Sequence, residues 1–298
     1  MTNKSKVKLY YSKNHRKSEN MSKRDLIIEK SIEILSERSI ASTSIQDITN
    51  ACGISKGAFY LSFKSKEELL IAIVEYIIQE MTSKYQDLLN LQVDPKEKLT
   101  QYFMLSFHFF EKNSPFISSH IRELIKIVDE NVSEKIHNHF RIADHMTLTI
   151  LKEVYQSKIE ETQYDLLICI RSMMKGYAEF IVMQKQKVDY YQLSKYFVNR
   201  IDLLVEANVP PLITKEMYEH NPRNVQRIEK KNIIDEIKNC KENYLDNSFL
   251  IDTFDMIIEE LQKDSPRKAI LLGMASNLTT TNHLKWLAVL LNQFTDEM

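Results

Sequence analysis

The chain has 298 residues, of which 43% are hydrophobic, and its formal net charge is −1. This length suits two domains, and the hydrophobic fraction is sufficient for a substantial core. Only 4 Gly and 6 Pro occur in the whole chain. Because both residues interrupt helices, their scarcity predicts long helices and an all-α protein.

Cysteine content and hydropathy restrict the expected compartment. The three cysteines, Cys52, Cys169 and Cys240, are odd in number and far apart, which fits a reducing cytosol better than a disulfide framework or a metal site. The N-terminus lacks the apolar segment of a signal peptide, and the most apolar stretch, residues 69–78, is interrupted by Glu75. We therefore expect a cytoplasmic protein that does not span or bind a membrane.

Charge is distributed unevenly along the chain. Residues 1–66 carry 13 Lys and Arg against 6 Asp and Glu, a net charge of +7, which leaves −8 on the remainder. A basic N-terminal segment followed by an acidic remainder indicates that the N-terminal segment binds a polyanion. Taken alone, the basic stretch at residues 4–24 fits a solvated tail better than a site for a polyanion. The interpretation as a polyanion-binding segment therefore depends on the helical motifs that follow this stretch.

Serine N-caps define the first predicted helices. Residues 1–21 are polar and basic without helical periodicity, and we expect a flexible arm. Ser22, with an acidic residue three positions later, resembles a capping box and predicts a first helix over residues 23–38. Ser44 caps a short second helix over residues 45–51, and Gly53 supplies the positive φ of a tight turn.

Two more caps follow this turn. Ser55 begins a third short helix whose apolar residues are Phe59 and Phe63, and Ser65 begins a long fourth helix that continues towards Leu91. The second and third helices are too small to fold alone, and the first can cover them. This is a helix-turn-helix, whose second helix enters the DNA major groove.

Prolines and serines divide the remainder of the chain. Asp94-Pro95 and Ser114-Pro115 each predict a break followed by a new helix, and Ser133 predicts the N-cap of a helix that runs to Tyr155. Pro210-Pro211 is the clearest boundary. Further helices are predicted over residues 163–186, 190–207, 224–240, 248–262 and 283–294. The predicted domains are an arm at 1–21, a DNA-binding domain at 22–69, a helical body at 70–209 and an additional helical region at 210–298.

The third helix carries small or polar side chains on its outer face, namely Ser55, Lys56, Gly57, Ala58 and Ser62. Small residues allow the backbone to approach DNA closely, and a lysine reaches phosphate or the acceptors of guanine. A helical hairpin without a role in DNA binding would leave this pattern unexplained.

Three motifs make the interpretation specific: Ile45-Gln-Asp-Ile48, Gly53-Ile-Ser-Lys-Gly-Ala-Phe-Tyr60 and Phe63-Lys-Ser-Lys-Glu-Glu-Leu69. Together they resemble the DNA-binding domain of the tetracycline-repressor (TetR/AcrR) family over roughly residues 25–70. A lone helix-turn-helix pattern is a weak signal, whereas the second and third motifs in this order are a strong one.

The resemblance implies a role for individual residues. Ser44 is expected to hold a backbone phosphate, and Gln46 lies where family members touch a base edge. Lys56, Gly57 and Ala58 face the groove, with Ser55 at the start of the same helix. Tyr60 is the phosphate-clamping tyrosine, and Lys66 adds a cation at the N-terminus of the fourth helix. Leu61 and Ser62 stand where many relatives carry aromatic residues or His, which alters the expected base readout.

For the body, the resemblance implies an effector-binding and dimerisation domain with a double-stranded DNA operator as the partner of the whole protein. Aromatic and methionine side chains suit a hydrophobic effector, although core packing is the better account of any single one. The candidate pocket residues are Phe103, Phe107, Phe110, Met146, Met173 and Tyr177, with Met104, Phe116 and Met174 nearby. The two helices before Pro210 are expected to form a four-helix interface in a homodimer.

The predicted function is a ligand-responsive repressor that releases a palindromic operator when the effector binds, with an efflux or lipid-related operon as its expected target. The alternative is a ligand-independent architectural or nucleoid-associated DNA-binding protein on the same fold. The region after Pro211 departs from the family, and extension of the dimer interface, coverage of the pocket and binding of another protein all remain open for it.

Other chemical signals are weaker. His137, His139 and His145 lack the helical spacing of metal ligands, so no metal site is predicted. Cys52 lies beside the turn on the face of Ile45 and Ile48, where a small buried residue is a simpler account than a redox switch. No catalytic triad, phosphate-binding loop or dinucleotide motif occurs, and we expect neither an enzyme nor a cofactor.

Overall fold

The computed structural model describes residues 22–127, 130–184, 188–219, 229–281 and 284–298. Within these ranges the regular structure consists of helices without a β-strand, which confirms the predicted fold class. The predicted arm at residues 1–21 and the side chains of His137 and His139 lie outside the described residues. Nowhere in the described ranges does a helix combine the length and hydropathy that a bilayer-spanning segment requires.

In chain order the α-helices are α1 Lys23–Glu37, α2 Ile45–Cys52, α3 Lys56–Ser62, α4 Lys66–Leu89, α5 Pro95–Ile127, α6 Glu130–Tyr155, α7 Gln163–Gln184, α8 Tyr190–Ala207, α9 Lys215–Glu219, α10 Lys230–Lys241, α11 Ser248–Leu261, α12 Lys268–Leu278 and α13 Lys285–Glu297. Short 3-10 turns follow α6 and α10. The chain divides into two compact units, Met1–Leu69 and Leu70–Met298.

The first unit is built on α1, α2 and α3. The Ser22 hydroxyl accepts a hydrogen bond from the Asp25 N–H at 3.1 Å, so the predicted N-cap begins α1. Ile28 of α1, Ile48 of α2 and Phe59 of α3 are buried in one core. The first two predicted helices each differ from α1 and α2 by one residue at the C-terminal end, where the last turn of a helix frays. The third begins after its Ser55 cap, as predicted, and ends at Ser62, so that Phe63 directly follows it.

The second unit is organised around α5, which packs against α6, α7 and α8. Phe103 of α5 and Phe197 of α8 are fully buried, with ring centroids 5.4 Å apart. Buried hydroxyl groups are satisfied between helices, because Tyr102 of α5 bonds Thr147 of α6 at 2.8 Å. The prediction of a helix over residues 190–207 is confirmed by α8.

The prediction of a break at Pro115 is wrong, because α5 continues through it to Ile127. A proline removes the N–H that would bond the carbonyl four residues earlier, here that of Glu111. The Ser114 hydroxyl donates to this Glu111 carbonyl at 3.4 Å, and the Asn113 amide donates to the Phe109 carbonyl at 2.8 Å. Two side chains thus supply hydrogen-bond donors next to the position where the proline lacks an N–H.

Ser133 is not an N-cap, since α6 begins at Glu130 and the serine lies inside its first turn. A serine inside a helix can place its hydroxyl on a carbonyl one turn back, so serine alone does not mark a helix start. In contrast, Asp94 does cap α5, because its carboxylate accepts from the Lys96 N–H at 2.9 Å.

The C-terminal region contains α10 to α13 within the second unit. Its central element is α13, which packs against α12, α10 and α6 and is buried on nearly all sides, as expected of a helix that is apolar around its circumference. Lys285 at its start bonds Asp87 of α4 at 2.5 Å. The helix predicted from residue 283 is observed from Lys285, and the first part of the helix predicted over 224–240, residues 224–228, lies outside the described ranges.

Glu260 holds the turn between α11 and α12 together. Its carboxylate is almost fully buried and accepts from the Arg267 guanidinium and the Lys263 ammonium, each at 2.8 Å. These hydrogen bonds, first those from Arg267 and then that from Lys263, hold the pKa of Glu260 far below its usual range. No helical periodicity signals this pairing, which depends on the turn between the helices.

We expect replacement of Leu291→Ala to destabilise the protein by about 2–5 kcal/mol, because the residue is fully buried on α13 and the change leaves a cavity. The matched control is Leu245→Ala, whose side chain is largely exposed and whose loss should change stability by about 0.5 kcal/mol or less. Urea unfolding followed by circular dichroism measures both. Equal effects of the two variants would contradict the central position of α13.

Candidate DNA-binding site

A capping box sets the start of α2. The Ser44 hydroxyl accepts from the Asp47 N–H at 3.2 Å, while the Ser44 N–H donates to the Asp47 carboxylate at 2.8 Å. The Ser44 hydroxyl also donates to this carboxylate at 2.6 Å. The bonds from the Ser44 hydroxyl and N–H lower the pKa of Asp47. To contact a phosphate as a donor, the Ser44 hydroxyl would therefore redirect its hydrogen bond from the Asp47 carboxylate to the DNA.

Gly53 forms the turn between α2 and α3. Its φ of 66° and ψ of 31° lie in the left-handed region, which a side chain disfavours. The next N–H, that of Ile54, bonds the Thr49 carbonyl at 3.0 Å and closes the last turn of α2. The sequence prediction of a positive φ at this glycine is confirmed, and it sets the direction in which α3 leaves the turn.

Buried aromatic residues fix the rotation of α3 about its own axis. Phe59 is fully buried, and its ring lies 5.8 Å from that of Phe63, which directly follows the helix. The Ser55 hydroxyl caps the helix by accepting from the Ala58 N–H at 3.1 Å. With one face of the short helix held in the core, its opposite face is presented to solvent.

The predicted contact residues lie on this exposed face or at its edges. Tyr60 is 52% exposed and Leu61 is 89% exposed, both unusual for large apolar side chains. Ser55, Lys56 and Gly57 are exposed, whereas Ala58 and Ser62 are half-buried. This face combines a cation, a phenol and small residues, a chemistry suited to the backbone and base edges of DNA.

Gln46 lies on the exposed side of α2. Its amide donates to the Asn50 side-chain oxygen at 2.8 Å, one helical turn further along. Both side chains are exposed, so this local bond exchanges readily with another acceptor. Gln46 is therefore positioned by its neighbour and is accessible to a base edge.

Arg24 is a positioning residue that no sequence pattern indicated. Its guanidinium donates to the Ser62 carbonyl at 2.6 Å and lies 4.2 Å from the centre of the Phe63 ring. The Ser62 carbonyl is at the C-terminal end of α3, where carbonyls lack a helical partner. Arg24 thus ties the end of α3 to α1, and Glu68 lies 3.9 Å from the same guanidinium.

Lys66 has internal partners. Its ammonium donates to the Thr43 carbonyl at 2.6 Å and also to the Ile40 carbonyl, both in the segment between α1 and α2. Burial is the main reason that the pKa of Lys66 is lowered from its usual value. The structure therefore gives Lys66 a role in holding the segment that leads into Ser44, and the phosphate contact implied by the family resemblance stays a prediction.

The candidate effector residues do not share one environment. Phe103, Phe107 and Met146 are buried, and the first two contact the Phe197 ring at centroid distances of 5.4 and 5.1 Å. Met173 is half-buried. Phe110 and Tyr177 are each more than a third exposed, so a single chain does not enclose them. Their role in ligand binding stays a prediction.

An open depression of about 380 Å³ lies where α6 leads into α7. Its lining residues are Lys152, Gln156, Ser157, Ile159, Glu160 and Gln163. None of the predicted pocket residues belongs to this group, so the depression is separate from the expected effector site.

Comparison with known proteins agrees with the geometry. Residues 27–73 match the family model described as "Bacterial regulatory proteins, tetR family". The chain is 31% identical over 287 residues to the uncharacterized HTH-type transcriptional regulator YerO of Bacillus subtilis (strain 168), a match that covers 91% of this chain and 96% of that protein. It is also 32% identical over 94 residues to the HTH-type transcriptional repressor KstR2 of Mycolicibacterium smegmatis, which covers 32% of this chain and 46% of KstR2.

Among solved structures, the fatty acid degradation regulator FadR from Bacillus halodurans matches with a TM-score of 0.50 at 19% identity, covering 62% of this chain and 96% of FadR. At this identity the match supports only a similar fold, and the remainder of this chain is not covered by the match. The similarity to YerO extends over nearly the whole of both proteins and includes the helix-turn-helix. This chain therefore belongs to the tetR family of bacterial transcriptional regulators.

Proposed function

We propose that this regulator is a repressor that binds a palindromic operator as a homodimer and releases it when a small hydrophobic effector binds its helical body. The observation that carries the proposal is the exposed face of α3, where Tyr60 and Leu61 remain in solvent while Phe59 and Phe63 are buried. Such a face needs a partner, and the net charge of +7 on residues 1–66 favours a polyanion.

In this proposal, α3 enters the major groove. Gly57 and Ala58 allow close approach, and Lys56 reaches phosphate or guanine acceptors. Tyr60 and Ser44 hold phosphates, which fix the register of the protein on DNA without selecting a sequence. Gln46 supplies base selection from α2. The remaining proposed contacts are Ser55, Leu61, Ser62 and Lys66.

The proposed dimer uses α7 and α8, which a short connection makes antiparallel neighbours. The Tyr177 and Tyr196 hydroxyls lie 3.2 Å apart on this pair. Among the described residues, six large apolar or aromatic side chains are exposed on the two helices: Ile168, Tyr177, Phe180, Tyr196, Leu203 and Leu204. A two-fold axis through this surface would bury them and place two copies of α3 about one DNA turn apart, roughly 34–36 Å.

Release of the operator requires an effector that binds more tightly to the conformation that does not bind DNA. The apolar side chains of α5 to α8 provide a hydrophobic environment for such a ligand. The name of the similar KstR2, a transcriptional repressor, supports repression as the direction of control. The target operon in this proposal is one for efflux or lipid handling.

The roles proposed on α2 and α3 differ in their dependence on DNA sequence. Replacement of Tyr60→Phe should weaken binding to the operator and to unrelated DNA by the same factor, roughly tenfold, because one hydrogen bond to a charged phosphate is lost. Replacement of Gln46→Ala should weaken operator binding by about 1–3 kcal/mol and leave unrelated DNA unaffected. Fluorescence anisotropy on an operator selected from random DNA measures both.

The selection itself tests the function. A strong palindrome among the selected fragments is expected, with two protein chains per fragment. Uniform spreading along DNA without a preferred sequence would contradict the repressor and favour an architectural role. If Tyr60→Phe and Gln46→Ala changed operator and unrelated DNA alike, the proposed division of roles would be wrong.

The two glycines of the helix-turn-helix should respond in opposite ways to alanine. Gly57→Ala is expected to stabilise the free protein by about 0.5–1 kcal/mol, since the added Cβ meets only the Ser55 Oγ at 3.8 Å. Its methyl group should nevertheless reduce operator affinity at least tenfold. Gly53→Ala should destabilise the protein by about 1 kcal/mol because its φ is +66°.

Urea unfolding and operator titration distinguish these effects. A Gly57→Ala variant that binds the operator as tightly as the wild type would show that α3 does not approach DNA closely.

Dimerisation through α7 and α8 should be abolished by Phe180→Glu, which places a charge in the proposed interface. The matched control is Phe249→Glu on α11, where the phenylalanine has a similar exposure. Sedimentation equilibrium is expected to show a monomer for the first variant and a dimer for the second. A dimeric Phe180→Glu variant would exclude this interface.

A further inference from the structure

A connector of eleven residues, 209–219, links α8 to the C-terminal region and includes the short helix α9. It begins with Val209 and two prolines, which restrict its backbone. The Thr214 carbonyl and hydroxyl accept from the Tyr218 and Met217 N–H groups at 3.0 and 3.3 Å, so α9 has its own cap. The connector is therefore an ordered element.

Specific contacts hold the connector against α6 and α7. The Ile213 N–H donates to the Asp165 carboxylate at 3.1 Å, and the Tyr218 hydroxyl donates to the Asp144 carboxylate at 2.7 Å. The Tyr218 ring also stacks on the Tyr164 ring with a centroid distance of 4.7 Å. These contacts fix the connector on the first turn of α7.

Although the connector is fixed, its apolar side chains point into solvent. Leu212 is 76% exposed and Met217 is 53% exposed, and Val209 is also exposed. Ile213 and Tyr218, by comparison, are partly buried where the connector touches the body. An ordered segment with outward apolar side chains is preorganised for binding, because little further conformational entropy is lost.

This exposed surface is continuous with the proposed dimer interface. Ile168 lies one turn beyond Tyr164 and Asp165 on α7 and is exposed. Because α7 and α8 are antiparallel and Tyr177 lies beside Tyr196, Ile168 lies at about the level of Leu204. The apolar surface thus runs along both helices towards their common end, where the connector begins.

We propose that the connector extends the dimer interface, with Leu212 and Met217 of each protomer packing against α7 and α8 of a second copy of this chain. This inference rests on the proposed homodimer. A second copy is the occupant that the geometry favours, because the connector's apolar side chains adjoin the surface of α7 and α8 that the proposed two-fold axis would cover. The dimer of this protein would then be larger than one built on α7 and α8 alone.

The decisive variant is the double replacement Leu212→Ser with Met217→Ser in the full chain. Its matched control is Leu245→Ser with Met256→Ser, which removes an equally exposed Leu and Met from the C-terminal region. We expect the first variant to raise the dimer dissociation constant at least tenfold in sedimentation equilibrium, and the control to leave it within twofold. Circular dichroism should show the same helix content for both, since all four side chains are exposed.

Photo-crosslinking provides a second measurement that does not depend on loss of affinity. A benzophenone amino acid at position 212 should give a covalent dimer attached to α7 or α8 of the other copy, and the same group at position 245 should not. Crosslinks from position 212 only within the same chain would overturn the proposal and place the connector against its own C-terminal helices.

The results separate this inference from the proposed dimer itself. A Phe180→Glu variant that stays dimeric would refute the α7–α8 interface and with it the extension. If Phe180→Glu were monomeric while the Leu212 and Met217 double variant dimerised like the wild type, only the extension would be refuted.

Discussion

The burial of Phe59 and Phe63 is the interaction on which the DNA-binding unit depends. The helix α3 has only seven residues, too few to be stable in isolation. One aromatic ring inside this helix and one directly after it enter the core that α1 and α2 provide. Their burial sets the position and rotation of α3, and every exposed residue of that helix is placed as a consequence.

Hydrogen bonds at both ends complete this arrangement. Ser55 caps the N-terminus of α3, while Arg24 binds the Ser62 carbonyl at its C-terminus. Lys66 ties down the segment that leads into Ser44. A helix that is held in this way binds DNA without first ordering its own backbone, so less of the binding energy is lost to conformational entropy. Arg24 and Lys66 thus hold the positions of α3 and of the segment before α2, on which the proposed DNA contacts depend.

In the helical body, exposed apolar side chains are as informative about binding partners as buried ones are about the core. Phe103 and Phe197 form a packed aromatic core, whereas Phe180 and Leu203 remain outside it. Core packing accounts for the first pair within one chain. The second pair, on α7 and α8, belongs to the surface proposed to pack against a second copy, and the exposed side chains of the connector lie at the end of that surface.

The sequence by itself determined the local features of this protein. Serine caps, the glycine turn and helical periodicity involve neighbours within a few residues, so the residue order alone assigns Ser44, Gly53 and Ser55 to their caps and turn. The helix-turn-helix, the all-α class and the bounds of α8 follow from such patterns. Local rules failed at Pro115 and Ser133, because a proline or a serine can also be accommodated inside a longer helix.

Contacts between residues distant in sequence were decided only by the tertiary structure. The bond from Arg24 to Ser62 spans 38 residues and that from Tyr218 to Asp144 spans 74. Neither has a periodic signature, since a side chain's distant partner depends on how whole helices pack. The helix-turn-helix was therefore visible in the residues themselves, whereas its positioning residues and the exposed connector became visible only when the chain was folded.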